Sequence, residues 1–188
     1  RIAGAYLPNW DQAMADELVN KFNLDVKKKI GKLSKGMTSM LTIIVALASK
    51  ADYTFMDEPV AGLDVVARNQ FYRILLNEFT ETGRTFVIST HIIEEAEELF
   101  EEVIMLKDGK LLLKENTQEL LEHCAYVTGK AEDVDQAVGG LEIHSEEHIG
   151  RSKGAMVRLH GEEAIRSDRV TVQSMNLQKV FVALCGEG

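Results

Sequence analysis

Three short stretches hold the residue types that handle phosphate. Asp57 and Glu58 follow the apolar run Tyr53–Met56 and precede Pro59. Adjacent carboxylates at the C-terminal end of a parallel strand sit where α/β sheets bind ligands. One can hold a water of Mg²⁺, a hard cation that keeps its waters. The other can orient or deprotonate an attacking water. Leu33-Ser34-Lys35-Gly36-Met37 opens a predicted helix. There Ser34 suits an N-cap, Gly36 lets a ligand approach the backbone, and the helix N-terminus attracts phosphate. Ser89-Thr90-His91 ends a second apolar run. If the two runs are neighbouring strands, His91 lies beside Glu58 and can hydrogen-bond a terminal phosphate. Each stretch alone also fits a plainer role: a helix start, a solvated strand end, an exposed histidine.

The elements that must position these residues are legible in the pattern. Met14, Leu18 and Phe22 recur at helical spacing in 11–22, and a second helix over 36–50 is apolar almost all round, hence buried. Strands are expected at 53–56 and 85–89. Between them a helix runs from an Asp64 cap to about 81, stopped by Gly83. A further helix is expected over 92–100. Asp108-Gly109 between Val103–Leu106 and Leu111–Lys114 signals a hairpin. Thr117 would cap a helix through Cys124. Up to here the alternation predicts an α/β domain, residues 1–123, with a mostly parallel sheet. Glycines then become denser. Short strands at 126–128, 141–144, 155–159 and 169–173 and helices at 131–138 and 176–185 predict a small α+β appendage, 124–188.

Composition narrows the function classes. The chain has 188 residues and a formal net charge of −9, which argues against a freestanding nucleic-acid binder, so no nucleic-acid partner is expected. Two cysteines, Cys124 and Cys185, suit a reducing compartment with both thiols free. The longest strongly apolar stretch, Leu41–Ala48, falls far short of the ~20 residues of a membrane span. No basic-then-apolar leader opens the sequence, and its first residue is Arg1 rather than Met, which hints at a fragment. The glutamates from Glu94 to Glu102 read as a solvated helix face. His144 and His148 are not expected to form a metal pair.

Taken together, LSKGM at 33–37, FMDEPVAGLD at 55–64 and STH at 89–91 resemble, in that order, the ATP-binding-cassette (ABC) ATPase family. The resemblance implies that Leu33, Ser34, Lys35, Gly36 and Met37 form the signature loop. Asp57 would be the Walker B aspartate that serves Mg²⁺, Glu58 the catalytic glutamate and His91 the switch histidine. Ala61–Asp64 would be the D-loop, with Asp64 at the nucleotide site. It implies a partial P-loop NTPase domain with the end of a helical subdomain. It also implies ATP bound across a head-to-tail dimer with a second ABC ATPase subunit, and a membrane-spanning permease as further partner. Location would be cytoplasmic, peripheral on the inner face of the cell membrane. The family's phosphate loop, G-x-x-x-x-G-K-[ST], is absent from this sequence. It is expected upstream, with an adenine-stacking aromatic residue and a glutamine loop. The chain then reads as the C-terminal portion of such an ATPase, binding ATP poorly by itself and not turning it over. Lys35 and Met37 depart from the commonest signature, LSGGQ, and the Thr38–Met40 stretch lacks the family's usual charged or glutamine residues. A soluble ABC ATPase working on ribosomes or DNA, and a non-catalytic pairing module, are the rival readings.

Overall fold

The computed structural model describes residues 2–161, 163–165 and 167–186. These fall into two compact units, Arg1–Ile92 and Ile93–Gly188.

In the first unit α1 (Ile2–Tyr6) is followed by α2 (Gln12–Lys21), whose Asp11 cap accepts from Met14 N at 2.9 Å. The α2 face predicted from spacing packs inward through Ala15, Leu18 and the following Phe22. A 3₁₀ turn, Ile30–Lys32, leads to α3 (Lys35–Ala48), capped by Ser34. Only the second half of α3 is buried, through Ile43, Ile44, Leu47 and Ala48; its first half is partly open to solvent. Strand β1 (Tyr53–Asp57) pairs in parallel with β2 (Thr85–Ser89), from Tyr53 opposite Thr85 to Asp57 opposite Ser89. The crossover is α4 (Val65–Thr82), capped by Asp64 through Ala67 N at 2.8 Å and ended by Gly83 in a left-handed conformation, φ 66°. Phe71, Tyr72 and Leu75 are its buried face.

One charged cluster locks these elements. Glu78 on α4 is buried, with Lys50 Nζ at 2.8 Å and Arg84 Nε at 3.2 Å from its Oε1. Arg84 also donates to Leu47 O at 2.8 Å and stacks over Phe86 at 4.8 Å. Burial lowers the Arg84 pKa, while Glu78 pulls it back up. The opposite face of the β1–β2 pair is bare: Tyr53 and Phe55 are 70% and 76% exposed, and Val87 39%.

The second unit opens with an expectation unmet. Residues 92–100 form only a 3₁₀ turn, Glu97–Leu99. Glutamates spaced three and four apart repel along a helix face. β3 (Glu102–Lys107) and β4 (Lys110–Asn116) form the hairpin, with positive φ at both Asp108 and Gly109. Asn116, not Thr117, caps α5 (Thr117–His123), accepting from Gln118 and Glu119 N. The sheet that follows is wholly antiparallel, ordered β6-β7-β5-β8, from β5 (Cys124–Lys130), β6 (Glu142–Ile149), β7 (Ser152–Arg158) and β8 (Thr171–Ser174). Helix α6 (Ala131–Val138) covers one face through Val134 and Val138. α7 (Leu177–Cys185) lies over the other, where Leu177 and Val180 meet Cys124 and Met156. That same core takes in Val103, Met105 and Leu113 of the hairpin. Packing therefore divides the chain at Ile92/Ile93, upstream of the 123/124 boundary suggested by composition. Cys124 is buried, Cys185 half-buried, and both are unpaired. Among the described residues no helix is long and apolar enough to cross a membrane.

Candidate functional site

The parallel register brings the ends of β1 and β2 together. Asp57 stands opposite Ser89, and the Ser89 hydroxyl donates to Asp57 Oδ1. One residue on, Glu58 leaves the strand in a left-handed conformation, φ 44°, which is uncommon for a side chain other than glycine. The turn is fixed at both ends: Glu58 N donates to Ser89 O at 2.9 Å and Ala61 N to Glu58 O at 3.0 Å. Buried Val60 and Leu63 hold the loop onto the unit.

This bend aims the Glu58 carboxylate at the loop after β2. Its Oε1 accepts from the His91 backbone N at 3.0 Å and lies 2.7 Å from His91 Nδ1. The other oxygen, Oε2, is buried and has no hydrogen-bond partner. His91 itself is 76% exposed, leaving its far edge free to meet a ligand. The structure thus places His91 beside Glu58, as expected from neighbouring strands.

The signature-like segment is positioned by a different contact. Ser34 Oγ accepts from Met37 N at 3.3 Å, as an N-cap should. Gly36 lies against the loop after β1: a Cβ there would sit 2.5 Å from Gly62 O. Gly62 in turn has φ 78°, and a Cβ there would sit 3.0 Å from Lys35 Cγ. Ser39 Oγ donates to Ala61 O at 2.7 Å. The glycine at 36 is thus demanded by the chain's own backbone, before any ligand. Ser39, in the stretch that sequence left unexplained, is the hydroxyl that ties α3 to this loop. Leu33 is half-buried, Lys35 exposed, and the Met37 sulfur lies 3.9 Å from Lys28 Nζ. Asp64 is engaged in capping α4. Among the described residues no hydrogen bond or ion pair joins Leu33–Met37 to Glu58 or His91; Ala61 and Gly62, in the loop after Glu58, are what Ser39 and Gly36 of α3 meet.

A cation would find one suitable donor. Among the described residues no cluster of three acidic, histidine or cysteine side chains could hold a metal by itself. Asp57 has one oxygen fixed by Ser89 and the other uncommitted. That suits Mg²⁺ shared with phosphate and water, since Mg²⁺ takes one or two carboxylates in such sites.

Similarity to known proteins points the same way. The family model described as "AAA domain, putative AbiEii toxin, Type IV TA system" matches residues 12–97. The ABC transporter ATP-binding protein YtrB of Bacillus subtilis is 25% identical over 95% of the chain and 64% of its own length. The bacitracin transport ATP-binding protein BcrA of Bacillus licheniformis is 29% identical over 87% of the chain and 58% of its own length. The Nod factor export ATP-binding protein I of Cupriavidus pinatubonensis is 30% identical over 90% of the chain and 54% of its own length. The chain therefore spans between 54% and 64% of these curated relatives. A dimeric bacterial ABC transporter cassette superimposes with a TM-score of 0.50 at 29% identity, over 56% of the chain and 46% of the cassette. An ATP-binding subunit of an ABC transporter superimposes with a TM-score of 0.53 at 22% identity, over 60% of the chain and 49% of that subunit, and shows the fold alone.

Proposed function

Because this chain belongs to the ATP-binding-cassette ATPase family, we propose that it is part of the ATP-hydrolysing subunit of a bacterial-type ABC transporter. The observation that carries the reading is the Glu58–His91 pair at the end of β1. Glu58 Oε1 is held by His91, while Oε2 has lone pairs and no partner. The Glu58 carboxylate accepts a proton from the water that attacks the γ-phosphorus as the bond to the leaving β-phosphate oxygen breaks. Phosphoryl transfer is mostly positioning and charge stabilisation. His91 fixes the carboxylate and presents its outer nitrogen to the phosphate. Asp57 would hold Mg²⁺ through the oxygen not engaged by Ser89, and the ion would supply charge neutralisation at the phosphate oxygens. Ser34, Gly36 and the N-terminus of α3 bind the γ-phosphate of an ATP carried by a second, head-to-tail ABC ATPase subunit. Leu33, Lys35, Met37 and Asp64 shape that contact.

Residues 1–123 are the cassette-derived part in this reading, and 124–188 an accessory part. The bare Tyr53–Phe55–Val87 face supports the reading. Parallel sheets are normally covered on both faces, and the relatives are longer than this chain. No phosphate cradle of the G-x-x-x-x-G-K-[ST] type lies within the 188 residues, so the chain alone turns ATP over negligibly. Coupling is to a membrane-spanning permease, with the ATPase on the cytoplasmic face of the membrane. The test is Glu58→Gln in the full-length protein. ATP binding persists, and phosphate release falls by at least about a hundredfold. Unchanged turnover removes Glu58 from the chemistry and the reading with it.

A further inference from the structure

A second site lies in the other unit and is unrelated to phosphate. A cavity of about 830 Å³ is bounded by the 3₁₀ turn, α5 and β8. Its floor includes Phe100, Leu121 and Met175, and its rim carries Glu97, Glu98, Glu101 and Glu122. No lysine, arginine or histidine lines it among the described residues. Glu97 is occupied by Leu177 N at 2.7 Å and Glu122 by the Gln118 amide at 2.7 Å. Glu98 and Glu101 have no side-chain partner among the described residues.

The strand bordering this cavity is open. β8 is the last strand of the order β6-β7-β5-β8, and among the described residues nothing pairs with its outer edge. Val172 pairs with Val127, whose side chain is in the α6 core, and Gln173 pairs with Tyr126, which packs against the α7 core. Both Val172 and Gln173 line the cavity. Neighbouring strand residues point to opposite faces, and the cavity touches Val172, Gln173, Ser174 and Met175 in succession, so it follows the length of β8 and reaches Cys124 and Ala125 of β5 and Leu159 at one end. The two sheet edges differ in protection. β6 carries Glu142, Glu146 and Glu147, charges that discourage pairing, whereas β8 reads Thr-Val-Gln-Ser.

We propose that a partner protein adds an extended segment to the edge of β8, in which Lys or Arg alternates with apolar residues. Backbone hydrogen bonds to β8 supply the docking, as in other cases of strand addition. Basic side chains meet Glu98, Glu101 and Glu122, and apolar ones meet the Phe100 and Leu121 floor.

Fluorescence anisotropy with the 188-residue chain tests this, using a short labelled peptide of alternating lysine and valine. Binding is saturable and weakens about tenfold in Glu98→Gln/Glu101→Gln/Glu122→Gln. It is unchanged in Glu17→Gln/Glu81→Gln/Glu132→Gln, which removes the same charge from exposed positions outside the groove. The same peptide methylated on alternate backbone nitrogens, which keeps its charge but blocks strand pairing, does not bind. An equal loss in both triple variants means general attraction to an acidic protein and overturns the proposal. Full binding of the methylated peptide, or no saturable binding of the parent, overturns it equally.

Discussion

Glu58 Oε1 accepts from two groups of one residue, the backbone N–H and the ring Nδ1 of His91, at 3.0 and 2.7 Å. The ring nitrogen facing Glu58 therefore carries a proton. Holding Glu58 at a φ of 44° costs on the order of 1 kcal/mol, the kind of backbone strain found at functional sites.

In the full-length protein His91→Ala lowers kcat for ATP by about a hundredfold and changes KM little. Added to Glu58→Gln it costs almost nothing further, because residues acting as one unit are not additive. Steady-state phosphate release measures both. Losses that multiply would separate the two residues.

Gly36→Ala forces a Cβ to 2.5 Å from Gly62 O. Backbone has little room to yield, so stability falls by about 1–3 kcal/mol. Gly31→Ala meets nothing within 4 Å and serves as the neutral control. Urea unfolding of the 188-residue chain reads the difference.

Glu78→Gln leaves buried Arg84 without its carboxylate and destabilises by about 3 kcal/mol. Arg84→Met strands Glu78, though Lys50 at 2.8 Å remains to pair with it. The double variant loses less than the sum of the singles. Additive losses would mean that Glu78 and Arg84 stabilise the fold independently.

Burial pushes the Cys124 thiol above its ordinary 9.0, and the nearby Arg158 only partly offsets this. The thiolate is the reactive form. At neutral pH a thiol reagent thus modifies half-buried Cys185 first and Cys124 slowly. The Cys124 rate climbs as pH rises towards and past 9.0. Denaturant brings the two rates together.

A hydrogen bond to His160, 2.6 Å away, is the main reason that Glu142 sits below its ordinary 4.5, with the charges of His144, His160 and Arg158 adding to it and burial opposing. A carboxyl depressed on folding binds fewer protons folded than unfolded. Its stabilisation is full above the ordinary value and lost as pH falls through the depressed one. His160→Ala therefore destabilises the chain above pH 4.5, and the gap from wild type narrows as pH falls below it. Denaturation midpoints across pH show this; a gap that persists in acid would assign the effect to packing.

Local signals proved readable where a few adjacent residues carry the whole instruction. Ser34 and Asp64 cap their helices, Gly83 stops one, and Asp108-Gly109 turns the hairpin. The failures are also physical. The 92–100 segment has helical spacing but too many repelling glutamates, so only Glu97–Leu99 coil. β6 runs to Ile149, well past its expected end at His144, because an edge strand can be charged and so hides the apolar alternation that marks a strand. The hairpin's apolar residues Val103, Met105 and Leu113 gave no hint that they share a core with Met156 and Val180.

By itself the sequence determined the chemistry available and its order along the chain: a helix-capping serine with a nearby glycine, two carboxylates before a proline, and a histidine after a second strand. Those are properties of residue type and short spacing. Only the tertiary structure decided that β1 and β2 pair in parallel and in a register that sets Asp57 opposite Ser89 and Glu58 beside His91. It alone showed that Gly36 answers to Gly62, and that one oxygen of Glu58 is held while the other is not. Register and close approach are set by packing residues distant in the chain around a shared core, as Phe71 and Leu75 are packed in the first unit. Spacing along one segment does not encode them.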